Sequence, residues 1–318
     1  MKNLALFIAI LFSGFIFANG QQTSVTPQPT PNPQDTIRRN EANNRRFDAM
    51  RNGRNMNMNP AMLQQIFLNS IQPLYRKPTK EELQTLAPNA EDVRKYAEFL
   101  KQSNTGITRL VVDFGCAANP SIVVATPNCL KYTMPGAGSS FSFRTNNYRI
   151  RRLADLTFTG GSFQTTGVLL HGILVNLGDI SLEQISLSTN GIKFLTDFVP
   201  ATEFEKAAET ERQLIAGIEN GGFSYYSGLN AVENATYILR SIAYRGMFPQ
   251  AVQNVAYNEL AFDKRKDVLV IFRVIRKDTD GSITILWKEM QDKKSPKIKR
   301  ERENRRNVRE NKLVAETK

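Results

Sequence analysis

Apolar residues change their spacing along this chain, and each change marks a structural boundary. From Pro60 the spacing is helical. Met62, Leu63, Ile66, Phe67 and Ile71 form one stripe, which Pro73 is expected to end. Thr79 with Glu82 three residues on makes a capping box that opens a second helix through Leu83 and Leu86. Asn89 caps a third, with Val93, Tyr96, Ala97 and Leu100 on one face. Gly106 closes this helical section.

Beyond Gly106 the runs become short, β-branched and aromatic. The pattern predicts strands at 107–114, 122–125, 141–144, 148–151, 156–159, 168–177 and 192–198. A helix follows Pro200, capped by Thr202, with Phe204, Ala207, Ala208, Leu214, Ile215 and Ile218 as its stripe and Gly221-Gly222 as its end. A strand is expected at 237–244. The strongest signal comes last, in two apolar runs flanking Asp278-Thr279-Asp280-Gly281, because Asp-Gly admits the positive φ of a tight reversal. Val268, Val270, Phe272 and Val274 fall on one face, and Leu269, Ile271, Arg273 and Ile275 on the other. Both faces are mostly apolar, which predicts a hairpin at the centre of a packed sheet. The fold class expected is α+β: a largely antiparallel sheet or sandwich with N-terminal helices and one inserted helix.

The ends have a different composition. Met1-Lys2-Asn3, an apolar run of 14 residues and Ala18-Asn19-Gly20 have the layout of a secretory signal peptide, with maturation at Gln21. The run is shorter than the ~18 residues of a spanning helix. Residues 21–59 are rich in Pro and Gln, then in Arg and Asn, and are expected to be a disordered linker. The division predicted is a signal peptide at 1–20, the linker, a helical segment at 60–105, a β-rich domain at 106–291 and a basic tail at 292–318. The formal charge is +12, and charge counting places +6 of it in residues 288–318 but only +2 in residues 61–287. Concentrated at an end, such charge suits an anionic envelope surface or polymer as partner.

Candidate chemistry is sparse. Cys116 and Cys129 are the two cysteines, and in an exported chain they are expected to form one disulfide. His171 is the single histidine and lies inside an apolar strand, where a hydrogen-bonded structural role is expected. One His and two paired Cys do not make a zinc site, so neither a metal nor a cofactor is expected. Gly136-Ala137-Gly138 lacks the lysine of a phosphate-binding loop. Strict alternation through a 141–151 hairpin would put Arg144, Arg149 and Arg151 on one sheet face, as a candidate anion-binding surface. Asp113, Asp155, Asp179 and Asp197 fall at predicted strand ends, where a hydrolase would place carboxylates. The function expected is a non-catalytic binding or structural module of the envelope or periplasm. The alternative is a secreted hydrolase using those acids.

Overall fold

The computed structural model describes residues 60–114, 127–252 and 255–299. These all belong to one unit, Pro60–Lys318. The helices are α1 (Pro60–Tyr75), α2 (Lys80–Thr85), α3 (Ala90–Lys95), α4 (Ala97–Leu100), α5 (Pro127–Lys131), α6 (Ile192–Asp197) and α7 (Phe204–Ala216). Thr79 accepts from the amide of Glu82, whose carboxylate accepts from the amide of Thr79, so the predicted capping box forms. Asn89 caps α3 through the amide of Glu91. Pro73 does not end α1: it lies inside the helix, which continues to Tyr75, and the Arg76 amide still donates to the Gln72 carbonyl.

Two five-stranded antiparallel sheets carry the fold. The smaller is built from β2 (Ser140–Ser142), β3 (Asn147–Tyr148), β4 (Leu156–Thr159), β5 (Ser162–Gln164) and β9 (Gly228–Asn230), in the order β3-β2-β4-β5-β9. The larger uses β1 (Thr105–Leu110), β6 (Leu170–Gly178), β10 (Thr236–Ala243), β13 (Lys266–Lys277) and β14 (Ile283–Lys294), in the order β1-β14-β13-β10-β6. Two short hairpins complete it: β7 (Ile218–Asn220) with β8 (Phe223–Tyr225), and β11 (Pro249–Val252) with β12 (Val255–Asn258).

The larger sheet is buried on both faces. Val268, Val270, Phe272 and Val274 join Phe141, Phe158 and Phe163 of the smaller sheet, and Phe143 of its β2–β3 turn, in one core. Aromatic pairs cross between the sheets, with Phe163 5.0 Å from Phe272 and Phe143 5.5 Å from Trp287, centre to centre. Leu269 and Ile271 face the opposite way. They pack with Phe99 of α4, Ile192 and Leu195 of α6, and Ala207 and Leu214 of α7. The result is three layers, sheet on sheet on helices, with the β13–β14 hairpin central, as its doubly apolar sequence requires. Gly281 turns that hairpin at φ 80°.

Several expectations are corrected. The segment 192–198 holds α6, which ends at Asp197, rather than a strand. Gly191 enters it at φ 88°, and Ile192 and Leu195, three apart, bury together against the sheet. The strand at 107–114 ends at Leu110, and the segment 122–125 lies outside the described residues. The chain also stays bonded to the core beyond Gln291. β14 runs to Lys294, Ser295 donates to the Ala243 carbonyl, and Ile298 donates to that of Arg245. Charged side chains on the exposed end of β14 conceal this continuation in the sequence. Among the described residues, no helix is long and apolar enough to cross a membrane.

Candidate functional site

The predicted arginine face does not form. β3 is only two residues long, and Arg151 already lies in a 3₁₀ turn, so alternation fails after Tyr148. Arg144 is wholly buried. Its Nε donates to Asp155 at 2.6 Å, and its Nη1 pairs with Asp263. Arg149 donates to the carbonyls of Tyr75 and Phe262. Arg151 is the most exposed of the three, and it donates to Thr166 and Gln164. Arg144 and Arg149 are therefore closed to a bound anion, and their guanidinium groups are structural. Asp155 also accepts from Ser142 and Ser241, which ties the two sheets together.

The strand-end acids are likewise occupied. Asp113 pairs with Arg151, Asp155 with Arg144, Asp179 with Arg273 and Asp197 with Lys193. The glycine-rich segment is a buried turn. A Cβ on Gly136 would lie 2.1 Å from the carbonyl oxygen of Arg149, so close packing explains the glycine. Cys129 lies on α5, and Cys116 lies outside the described residues. Their pairing therefore remains an expectation from the sequence.

The concave feature that retains unspent chemistry lies beside His171. A groove of about 600 Å³ runs between α7 and the start of β6. Phe204, Ala208, Glu211 and Ile215 line it from α7, and Leu169, Leu170 and His171 from β6 and the residue before it. Tyr244 and Ile298 also line it. Ile298 is held there because Lys299 donates its amide to Thr202 and accepts from that of Phe204. Gly172 allows the walls to approach, since a Cβ there would lie 2.2 Å from Cβ of Thr165.

His171 performs the structural role expected of it. Its Nε2 lies 2.9 Å from the Ala207 carbonyl, which only an N–H can satisfy, so Nε2 carries the proton. Nδ1 is then the acceptor for the Tyr244 hydroxyl, at 3.1 Å. Burial lowers the histidine pKa, which favours this neutral form. The ring thereby pins α7 to the sheet, and neither nitrogen is free to act as a base.

Glu211 is different. Its Oε2 is buried and has no hydrogen-bond partner. Burial raises its pKa above the ordinary carboxylate range. The cations of α7 are engaged elsewhere, Lys206 with Glu203 and Arg212 with Glu209. The sequence carries a signal for this residue. Glu211 lies three or four places from Ala207, Ala208, Leu214 and Ile215, so it interrupts the apolar stripe of its helix.

A second groove of about 600 Å³ is lined by Leu83, Ile107, Arg109, Phe141 and Tyr148. Its arginine is committed, since Arg109 pairs with Asp278 and Asp280. Among the described residues, no three His, Cys, Asp or Glu side chains converge as metal ligands. Comparison with known families, curated proteins and solved structures finds no match for this chain.

Proposed function

We propose that this chain is an exported, non-catalytic binding module of the cell envelope or periplasm, and that the groove beside His171 is its ligand site. One observation carries the reading. The groove presents more apolar than polar surface, and its histidine has both nitrogens bonded, so the imidazole is not available as a base. Its volume falls within the roughly 300–1,000 Å³ typical of small-molecule sites. Phe204 and Ile215 remain 41% and 65% exposed, so apolar area is available at the rim for a ligand to cover. The hydrolase reading lacks comparable support, because each strand-end acid is paired with a cation.

Export rests on residues 1–20 and on the pair Cys116 and Cys129. The basic end is proposed to hold the protein near an anionic envelope surface. Mass spectrometry of the exported form is expected to show Gln21 as its first residue. Thiol titration under denaturing, non-reducing conditions is expected to find no free thiol. Two free thiols in exported protein would remove the disulfide from the reading. For the groove, a neutral environment-sensitive dye such as Nile red should bind the exported chain, and Ala208→Trp should abolish its fluorescence gain. Equal fluorescence in that variant would place the dye elsewhere and defeat the site assignment.

A further inference from the structure

The groove's polar groups constrain what it recognises. Thr165 donates to the Ser227 carbonyl at 2.8 Å, and Thr166 accepts from Arg151 at 3.0 Å. His171 and Tyr244 bond each other, and the second histidine nitrogen is held by Ala207. Among the described residues, five buried side-chain oxygens or nitrogens lack a partner, and only Glu211 Oε2 belongs to a residue lining this groove. A ligand seated here therefore meets apolar walls, the polar side chains of Gln164 and Ser227, and one acid without a paired cation, Glu211.

The geometry points to an alkylammonium site: the groove takes an organic cation whose apolar body lies along Leu169, Ala208 and Ile215 and whose protonated amine pairs with Glu211. This assignment deepens the binding-module reading and rests on it. Charge complementarity selects the cation. Glu203 and Glu209 are already neutralised by Lys206 and Arg212, whereas Glu211 faces hydrocarbon on its own helix and hydroxyl and imidazole groups across the groove. An anionic ligand would set a second negative charge beside a carboxylate already removed from water. A neutral ligand would leave that carboxylate unpaired. An ammonium group supplies a donor and a compensating charge together.

The test uses three ligands of equal length, hexylammonium, hexanol and hexanoate, titrated calorimetrically into the exported chain near neutral pH. A charge-assisted hydrogen bond to Glu211 makes hexylammonium the tightest of the three, by roughly tenfold over hexanol. Hexanoate is expected to bind most weakly. Glu211→Gln keeps the shape and removes the charge, so it should bring hexylammonium down to the affinity of hexanol while leaving hexanol unchanged. Ala208→Trp should abolish binding of all three, with circular dichroism confirming that the variant is folded. If hexanoate or hexanol binds as well as hexylammonium and Ala208→Trp blocks them, the groove is a binding site but the cation assignment is wrong. Unchanged hexylammonium affinity in Glu211→Gln would also overturn that assignment. If none of the three ligands binds and Nile red does not either, both readings fall.

Discussion

Asp155 and Glu211 are both drawn away from water, but they have very different surroundings. Asp155 accepts from Ser142, from Ser241 and from both the backbone and side chain of Arg144. Arg144 in turn pairs with Asp263, and Asp263 with Arg265. Glu211 leaves an oxygen with no partner and a groove beside it. Buried charge disfavours folding unless it is compensated. The charges of the Asp155 cluster are compensated within the protein, although Asp263 Oδ1 lacks a partner, which makes the cluster part of the scaffold. Glu211 is not, and a group left unsatisfied beside a cavity is where a ligand gains most by supplying the missing partner. Charged residues in this fold are therefore to be judged by whether a cation or anion is paired with them and whether a groove lies beside them, not by their sign or number.

The sharpest way to break this comparison is at Asp155. Its replacement by Ala strands the guanidinium of Arg144 between the sheets. Removing one partner of a buried pair costs about 3–5 kcal/mol, so Asp155→Ala should show a large loss in denaturant midpoint. Combined with Arg144→Met, the loss should be smaller than the sum of the two single changes. Strict additivity would show that the pair is not coupled, and the scaffold reading of the cluster would fail.

Glu211→Gln is expected to act in the opposite direction and more weakly. It replaces an unpaired carboxylate with a neutral amide and should stabilise the protein by about 1 kcal/mol near neutral pH. The sign of the pH dependence follows from burial. The folded chain holds a proton on Glu211 at higher pH than the unfolded chain, so this group adds stability as pH falls through its raised titration range. His171 works against it. Burial lowers its folded pKa, so acidification below the ordinary histidine range removes stability through that residue. Subtracting the profile of Glu211→Gln from that of the parent isolates the carboxyl. A difference that does not change with pH would mean Glu211 is solvated like an ordinary surface acid.

Much of the scaffold is legible in the sequence because alternation survives where both faces are buried. The β13–β14 hairpin, its two apolar faces and its Asp-Gly turn are readable for that reason. So are the caps at Thr79 and Asn89, whereas the one expected at Thr202 does not form, since α7 starts after Glu203 without a side-chain cap. The arginine positions are not, because the fate of Arg144 depends on Asp263, which is 119 residues away. Strict alternation also fails where β3 stops after two residues. His171 is legible as a bonded strand residue, though not its partners, Ala207 and Tyr244. Glu211 resembles its neighbours Glu209 and Arg212 in composition. Its place on the apolar stripe distinguishes it, and only the packing of α7 on the sheet gives that place meaning.

The smallest expected effect on stability concerns the basic end, and it asks whether that end is separate from both buried sites. A cut after Gln291 removes three residues of β14, the Ser295 bond to Ala243 and the Ile298 side chain that lines the groove. A cut after Lys299 spares all of these. The first should lower the thermal midpoint and weaken groove binding together. The second should change neither, while removing half of the +6 net charge of residues 288–318. Adsorption to vesicles containing anionic lipid should therefore fall after the Lys299 cut. In the parent it should decline steeply as salt is added, since screening acts within about 8 Å at physiological ionic strength. Vesicle binding that survives the Lys299 cut would locate anion contact elsewhere, in residues 21–59 or on the domain surface. If the Lys299 cut lowered hexylammonium affinity as well, the basic end and the groove would be coupled. The end would then have to be treated as part of the ligand site rather than as a separate means of holding the protein near a surface.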